Sequence, residues 1–105
     1  MRPWPEAKKA ILRHLSAARF FLPVHLEVGE FPDSEQQLYE FLHQSEFELA
    51  LEELEGLGES NRGYAEESLF WSELILAAEQ MKLPDHAERC RARLRECEPS
   101  AKADT

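Results

Sequence analysis

SEFELALEELEGLGE, residues 45–59, is the stretch whose reading decides the fold. Phe47, Ala50, Leu51, Leu54 and Leu57 recur at steps of three and four, which places them on one stripe of a helix. Ser45 and Glu48 have the spacing of a capping box. In that motif the serine hydroxyl accepts from the amide three residues on, and the glutamate reaches back to the serine amide. Glu46 and Glu48 fall in the first turn, where the helix dipole favours negative charge. Gly56 and Gly58 offer a left-handed stop. Outside the stripe lie Glu48, Glu52, Glu53 and Glu55, with Leu49 near the middle of the opposite face. Leu49 either meets another helix of the chain or stands exposed in a ring of acids, where it would anchor a partner.

Working outward, the spacing predicts a first helix over 4–22. Pro5 suits its first position, and Ala7, Ile11, Leu15, Ala18 and Leu22 form its stripe. Lys8, Lys9, Arg13 and Arg19 lie mostly off that stripe, either solvated or folded against acids of the middle segment. Residues 23–33, PVHLEVGEFPD, break the pattern. Val24, Leu26 and Val28 alternate as in a strand, yet no second strand exists to pair with, so the segment reads as an ordered loop. Asp33 or Ser34 caps a short helix over about 34–43 with Leu38, Phe41 and Leu42 inward. GESNRG, residues 58–63, has the composition of a turn.

The longest helix is expected over Tyr64–Lys82. Phe70, Leu74, Ala77, Ala78 and Met81 form its stripe, Trp71 and Ile75 widen it, and Leu69 and Leu76 lie on another side. So much apolar circumference implies neighbours on more than one flank. Leu83, Pro84 and Asp85 mark a tight junction into a last helix over about 84–96, with Leu83, Ala87, Cys90, Leu94 and Cys97 on one face. Residues 98–105 read as a frayed tail. The expected fold is all-α: a single domain over 1–97, a bundle of about five short helices with antiparallel neighbours and partly tetratricopeptide-like hairpins.

Composition narrows the function. The chain has 105 residues and a net charge of −9, unevenly spread. Residues 27–79 carry 15 acids and one base, Arg62; residues 1–26 carry a net +4 and residues 80–105 a net +1. A middle this acidic argues against nucleic acid as a ligand and for a cationic partner, with solvation of helix faces as the plain alternative. No run of 18 apolar residues is present, and Lys8, Lys9, Arg13 and His14 break up any signal-peptide core, which points to the cytoplasm. Cys90 and Cys97, seven apart on a helix, stand roughly 10.5 Å apart along its axis and read as reduced core residues.

No catalytic or metal motif stands out. His86 and Cys90 share a helical face, but a structural zinc normally takes four ligands, and neither CxxC nor HExxH occurs. Acid pairs are everywhere, so none is singled out as general acid and base. Ser34, Ser45, Ser60, Ser68 and Ser72 lack a GxSxG context. Neither enzyme activity nor a cofactor nor a metal is expected. Trp71 and Phe70 read as core, and Trp4, between Pro3 and Pro5, as an exposed aromatic.

Three segments together carry a resemblance: FLHQSEFELALEELEGLGE, FWSELILAAEQMKL and HAERCRARL. They resemble the small helical immunity proteins of bacterial polymorphic and contact-dependent toxin systems, of the Maf-associated kind. The matches are Glu46, Phe47, Ala50, Leu51 and Leu54, then Phe70, Trp71, Ala77, Ala78, Met81 and Leu83, then His86, Ala87 and Glu88. They cover about half the chain and are mainly packing residues. The resemblance implies a cytoplasmic antidote that binds a toxin domain and blocks it. A basic toxin such as a nuclease would suit the acidic face, with Glu48, Leu49, Glu52, Glu53, Glu55, Glu59, Glu66 and Glu67 as the expected contact set. The alternative is a tetratricopeptide-like adaptor or chaperone that binds a peptide or partner protein.

Overall fold

A computed structural model of the chain describes residues 6–23 and 34–97. Five helices follow in order: α1 (Glu6–Phe21), α2 (Ser34–His43), α3 (Phe47–Ser60), α4 (Glu67–Gln80) and α5 (Pro84–Glu96). No strand occurs among the described residues. The expected loop over 24–33, a cap at Asp33, the setting of Trp4 and the tail over 98–105 lie outside them.

The all-α bundle is the observed fold. Helix α4 is its axle, packed against α1 on one side and α5 on the other, with α3 also touching it. Its apolar circumference is thereby used: Phe70, Trp71, Leu74, Ile75, Ala77 and Ala78 are all buried. Leu69 and Leu76, on the remaining side, stay exposed. Helix α2 packs mainly on α3, and Arg19 of α1 reaches Glu35 of α2 with Nη2 2.6 Å from Oε2. The expected α3 stripe is buried in full, from Phe47 to Leu57. The longest described helix is α1, with 16 residues, whereas α4 has 14. Residues 64–66 belong to the turn before α4, because Glu67 N–H donates to the Tyr64 carbonyl at 3.2 Å.

Two local expectations are corrected. The capping box at Ser45 does not form. Ser45 has φ +60°, in the left-handed region, and α3 begins after Glu46 with no side-chain cap. The Ser45 amide donates to the Leu42 carbonyl at 3.2 Å and the Glu46 amide to the Phe41 carbonyl at 2.8 Å. That pair of bonds is a Schellman ending for α2. An orphan carbonyl of α2 therefore takes the Ser45 amide, one of the two donors that the capping box would have used. The α4–α5 junction repeats the motif: Lys82 has φ +60°, Lys82 N–H donates to Glu79 and Leu83 N–H to Ala78. Pro84 then starts α5, where a missing N–H costs nothing.

Ser45 and Lys82 thus hold a conformation that disfavours side chains by about 1–2 kcal/mol. Ser45→Gly and Lys82→Gly should each stabilise the fold by about 0.5–1 kcal/mol, after the entropy lost by glycine is counted. Ser45→Ala should be nearly neutral, whereas a serine at a helix start would lose about 1 kcal/mol on that change. Urea midpoints at constant slope measure all three.

The second correction concerns Gly56 and Gly58. Helix α3 runs through both and ends at Ser60. Asn61 closes it, donating its side-chain Nδ2 to the Leu57 carbonyl at 2.8 Å and its backbone N–H to Gly58. Gly58 is buried, with the rings of Phe70 and Trp71 of α4 in the space that a Cβ would fill. Its missing side chain serves close packing between helices rather than a left-handed turn. Among the described residues, the glycine with positive φ is Gly63, in the turn that follows.

Candidate functional site

The acids of α3 do not form one bare face. Glu48, Glu52, Glu55 and Glu59 step along α3 at intervals of four, three and four, and His86, Arg89 and Arg93 step along α5 at three and four. The two rows meet. His86 Nδ1 lies 2.6 Å from Glu55 Oε2, Arg89 Nε lies 3.3 Å from Glu55 Oε1, and Arg93 Nε donates to Glu59. This ladder of side chains ties α3 to α5. Arg91 reaches the other way, to Glu79 of α4 and to Glu88 at 2.8 Å. At the α1 end, His14 Nδ1 is 2.7 Å from Glu73.

Arg62, the one base of the acidic middle segment, is a second hub. It donates to Glu67, reaches Glu96 at 2.9 Å and stands 3.9 Å from Glu59. Glu67 is buried at the start of α4. It accepts from the Trp71 indole at 2.9 Å, from the Gly63 amide at 2.9 Å and from Arg62. Burial works against its charge, but the hydrogen bonds from Trp71, Gly63 and Arg62 outweigh it and hold its carboxyl below the usual carboxylate range. The neighbouring Tyr64 hydroxyl is buried without a hydrogen-bond partner among the described residues, and burial pushes its pKa up.

The expected contact residues therefore fall into two groups. Glu55, Glu59 and Glu67 are engaged inside the chain, and Glu67 is buried. These three are structural ties. Glu48, Leu49, Glu52 and Glu66 are exposed, with Glu53 half-buried beside them. The open question at Leu49 is answered: it is 40% exposed on α3, one turn before Glu52 and Glu53.

Sequence reasoning set His86 beside Cys90 and missed its glutamate neighbours on α3. Its side chain is only 10% exposed, and its Nε2 stands 3.9 Å from Glu48 and 3.8 Å from Glu52. The matched three-and-four spacing of the two helices was the available signal. Cys90 and Cys97 are free thiols. Burial, with Glu55 nearby, pushes Cys90 up to about 12, and burial with Glu67 nearby raises Cys97. Both are thus protonated and unreactive near neutral pH. No described helix is long and apolar enough to cross a membrane.

Set against models of known protein families, characterised proteins and solved structures, the chain finds no match.

Proposed function

We propose that the chain is a cytoplasmic binding protein of the immunity kind. It captures a cationic partner domain on the outer face of α3, and no reaction is assigned to it. The observation that carries the reading is Leu49, exposed on α3 with the half-exposed carboxylate of Glu52 one helical turn on. An apolar anchor rimmed by one sign of charge is a common interface design. The internal ion pairs strengthen the case. They hold Arg89, Arg93 and Arg91 of α5 on Glu55, Glu59 and Glu79 rather than on Glu48 and Glu52. The resemblance of the three helical segments to toxin-neutralising immunity proteins points the same way and suggests a basic toxin such as a nuclease.

Co-purification from the native host should recover one basic protein, bound with sub-micromolar affinity that falls steeply with salt. Leu49→Asp combined with Glu52→Lys should abolish that binding and leave the helical circular dichroism unchanged. Undiminished binding by this folded variant would rule the face out. Salt-insensitive binding of many peptides would favour the tetratricopeptide-like adaptor instead.

A further inference from the structure

We infer that the groove between α4 and α5 is a docking site for an amphipathic helix of a partner protein, one that sets a carboxylate beside its apolar stripe. The groove and the outer face of α3 are built from different elements, so the inference stands apart from the partner proposed above. Leu69 and Leu76 remain 47% and 43% exposed on α4. They stand seven residues apart, two helical turns or roughly 10.5 Å along the axis. Helices α1, α3 and α5 pack on α4, while these leucines mark a side left open among the described residues.

Along that side runs a groove of about 470 Å³. Ser72, Ile75 and Leu76 of α4 line it, with Arg91, Leu94 and Arg95 of α5. The two helices that form it are tied at both ends. Arg91 donates to Glu79 of α4, and Arg62 joins Glu67 at the start of α4 to Glu96 at the end of α5. A helix entering a groove braced in this way has little of this chain left to order.

Charge selects the occupant. Helix α5 carries four arginines. Three are held by carboxylates of the chain: Arg89 by Glu55, Arg91 by Glu79 and Glu88, and Arg93 by Glu59 and Glu96. Arg95 has no hydrogen bond or ion pair among the described residues. The chain holds 21 acids against 12 bases, so an arginine left without one is notable, and this arginine lines the apolar groove. Glu79 also lines the groove, but Arg91 already engages it. A carboxylate from outside therefore completes the lining, and an arginine that becomes desolvated among apolar side chains is a common anchor of interfaces. The occupant is a helix because two packed helices offer no free backbone edge to pair with. Recognition then rests on side chains, and leucines at i, i+4 and i+7 of an incoming helix span the same distance as Leu69 and Leu76.

The test uses the full chain and a fluorescein-labelled helical peptide of about 18 residues, with leucines at i, i+4 and i+7 and glutamates beside them. A twin peptide carries glutamine in place of each glutamate. Fluorescence anisotropy should show saturable binding of the glutamate peptide, about three- to fivefold tighter than the twin. Arg95→Gln should remove that preference, so that both peptides bind alike. Leu76→Asp should weaken binding about tenfold or more. Both residues are exposed, so both variants should fold, which circular dichroism checks. Amide resonances of Leu69, Ser72, Leu76 and Leu94 should move on titration. Four results would each overturn the site: no binding, equal binding of the two peptides by the wild type, undiminished binding by folded Leu76→Asp, or a glutamate preference that persists in Arg95→Gln. Sedimentation of the chain alone supplies the last arm: self-association that Leu76→Asp abolishes would give the groove to a second copy and overturn the assignment to a partner's helix.

Discussion

Glu67→Ala is expected to cost about 3–5 kcal/mol, a large part of the 5–15 kcal/mol that holds a domain of this size. The change strips the acceptor from three donors at once: the buried Trp71 indole, the Gly63 amide and the Arg62 guanidinium. Arg62 would keep Glu96 and Glu59, but the indole N–H would be buried and unmatched, which alone costs about 1–3 kcal/mol. Glu67→Gln keeps one acceptor and should cost roughly half as much. It also separates charge from shape. The Glu67 carboxyl is held below its ordinary value, so in moderate acid the unfolded chain binds a proton that the folded chain refuses. The stabilisation is complete above the unfolded pKa and is lost as pH falls through the lower folded one. Wild-type stability should therefore drop between about pH 5 and pH 3, and the Gln variant should lose less across the same window. Urea denaturation at several pH values in that range provides the measurement. Parallel curves for the two proteins would show that Glu67 is not the titrating group.

How much of this was legible in the sequence depends on which contacts decide each feature. The helices were legible because burial repeats at three and four: α2 over 34–43 and α5 over 84–96 emerge at the expected positions. The termini were harder. Ser45 through Glu48 satisfies the pattern of a helix start, yet the previous helix ends two residues earlier and has carbonyls to satisfy. A local motif cannot show which helix claims the amides, and here α2 does. The charge map was half legible. Counting acids and bases gives the surplus correctly but not the pairing, because Glu55 meets Arg89 and Glu59 meets Arg93 across 34 residues of chain. Each helix was read against its own stripe, whereas the seam depends on two stripes in matching phase. Glu66 and Glu67 make the point most sharply. They are adjacent acids in the same turn; one is exposed and the other is a buried hub, and only Trp71 one helical turn later distinguishes them.

Gly58 is the place where a local reading and the tertiary structure diverge most, and it supports a prediction with a built-in control. A Cβ at Gly58 would overlap Cε2 of Phe70 outright and stand 2.9 Å from Phe70 Cζ and from Trp71 Cη2. Both rings are fully buried, so they cannot swing aside into solvent. A Cβ at Gly56, two residues earlier in the same helix, would meet nothing within 4 Å. Alanine gains about 1 kcal/mol over glycine in a helix interior, and that gain applies at both positions. At Gly56 nothing opposes it, so Gly56→Ala should stabilise the fold by about 1 kcal/mol. At Gly58 the overlap forces α3 and α4 apart or the rings off their rotamers, and overpacking of that severity costs about 3 kcal/mol or more. Gly58→Ala should therefore destabilise by about 2 kcal/mol net, and Gly58→Val by more. If the rings are the cause, shrinking one should relieve the strain: Phe70→Leu with Gly58→Ala should cost less than the sum of the two single changes, a coupling that a double-mutant cycle reads directly. Were Gly58 instead a conformational stop, the penalty would be the same whatever occupied position 70, and the cycle would show additivity.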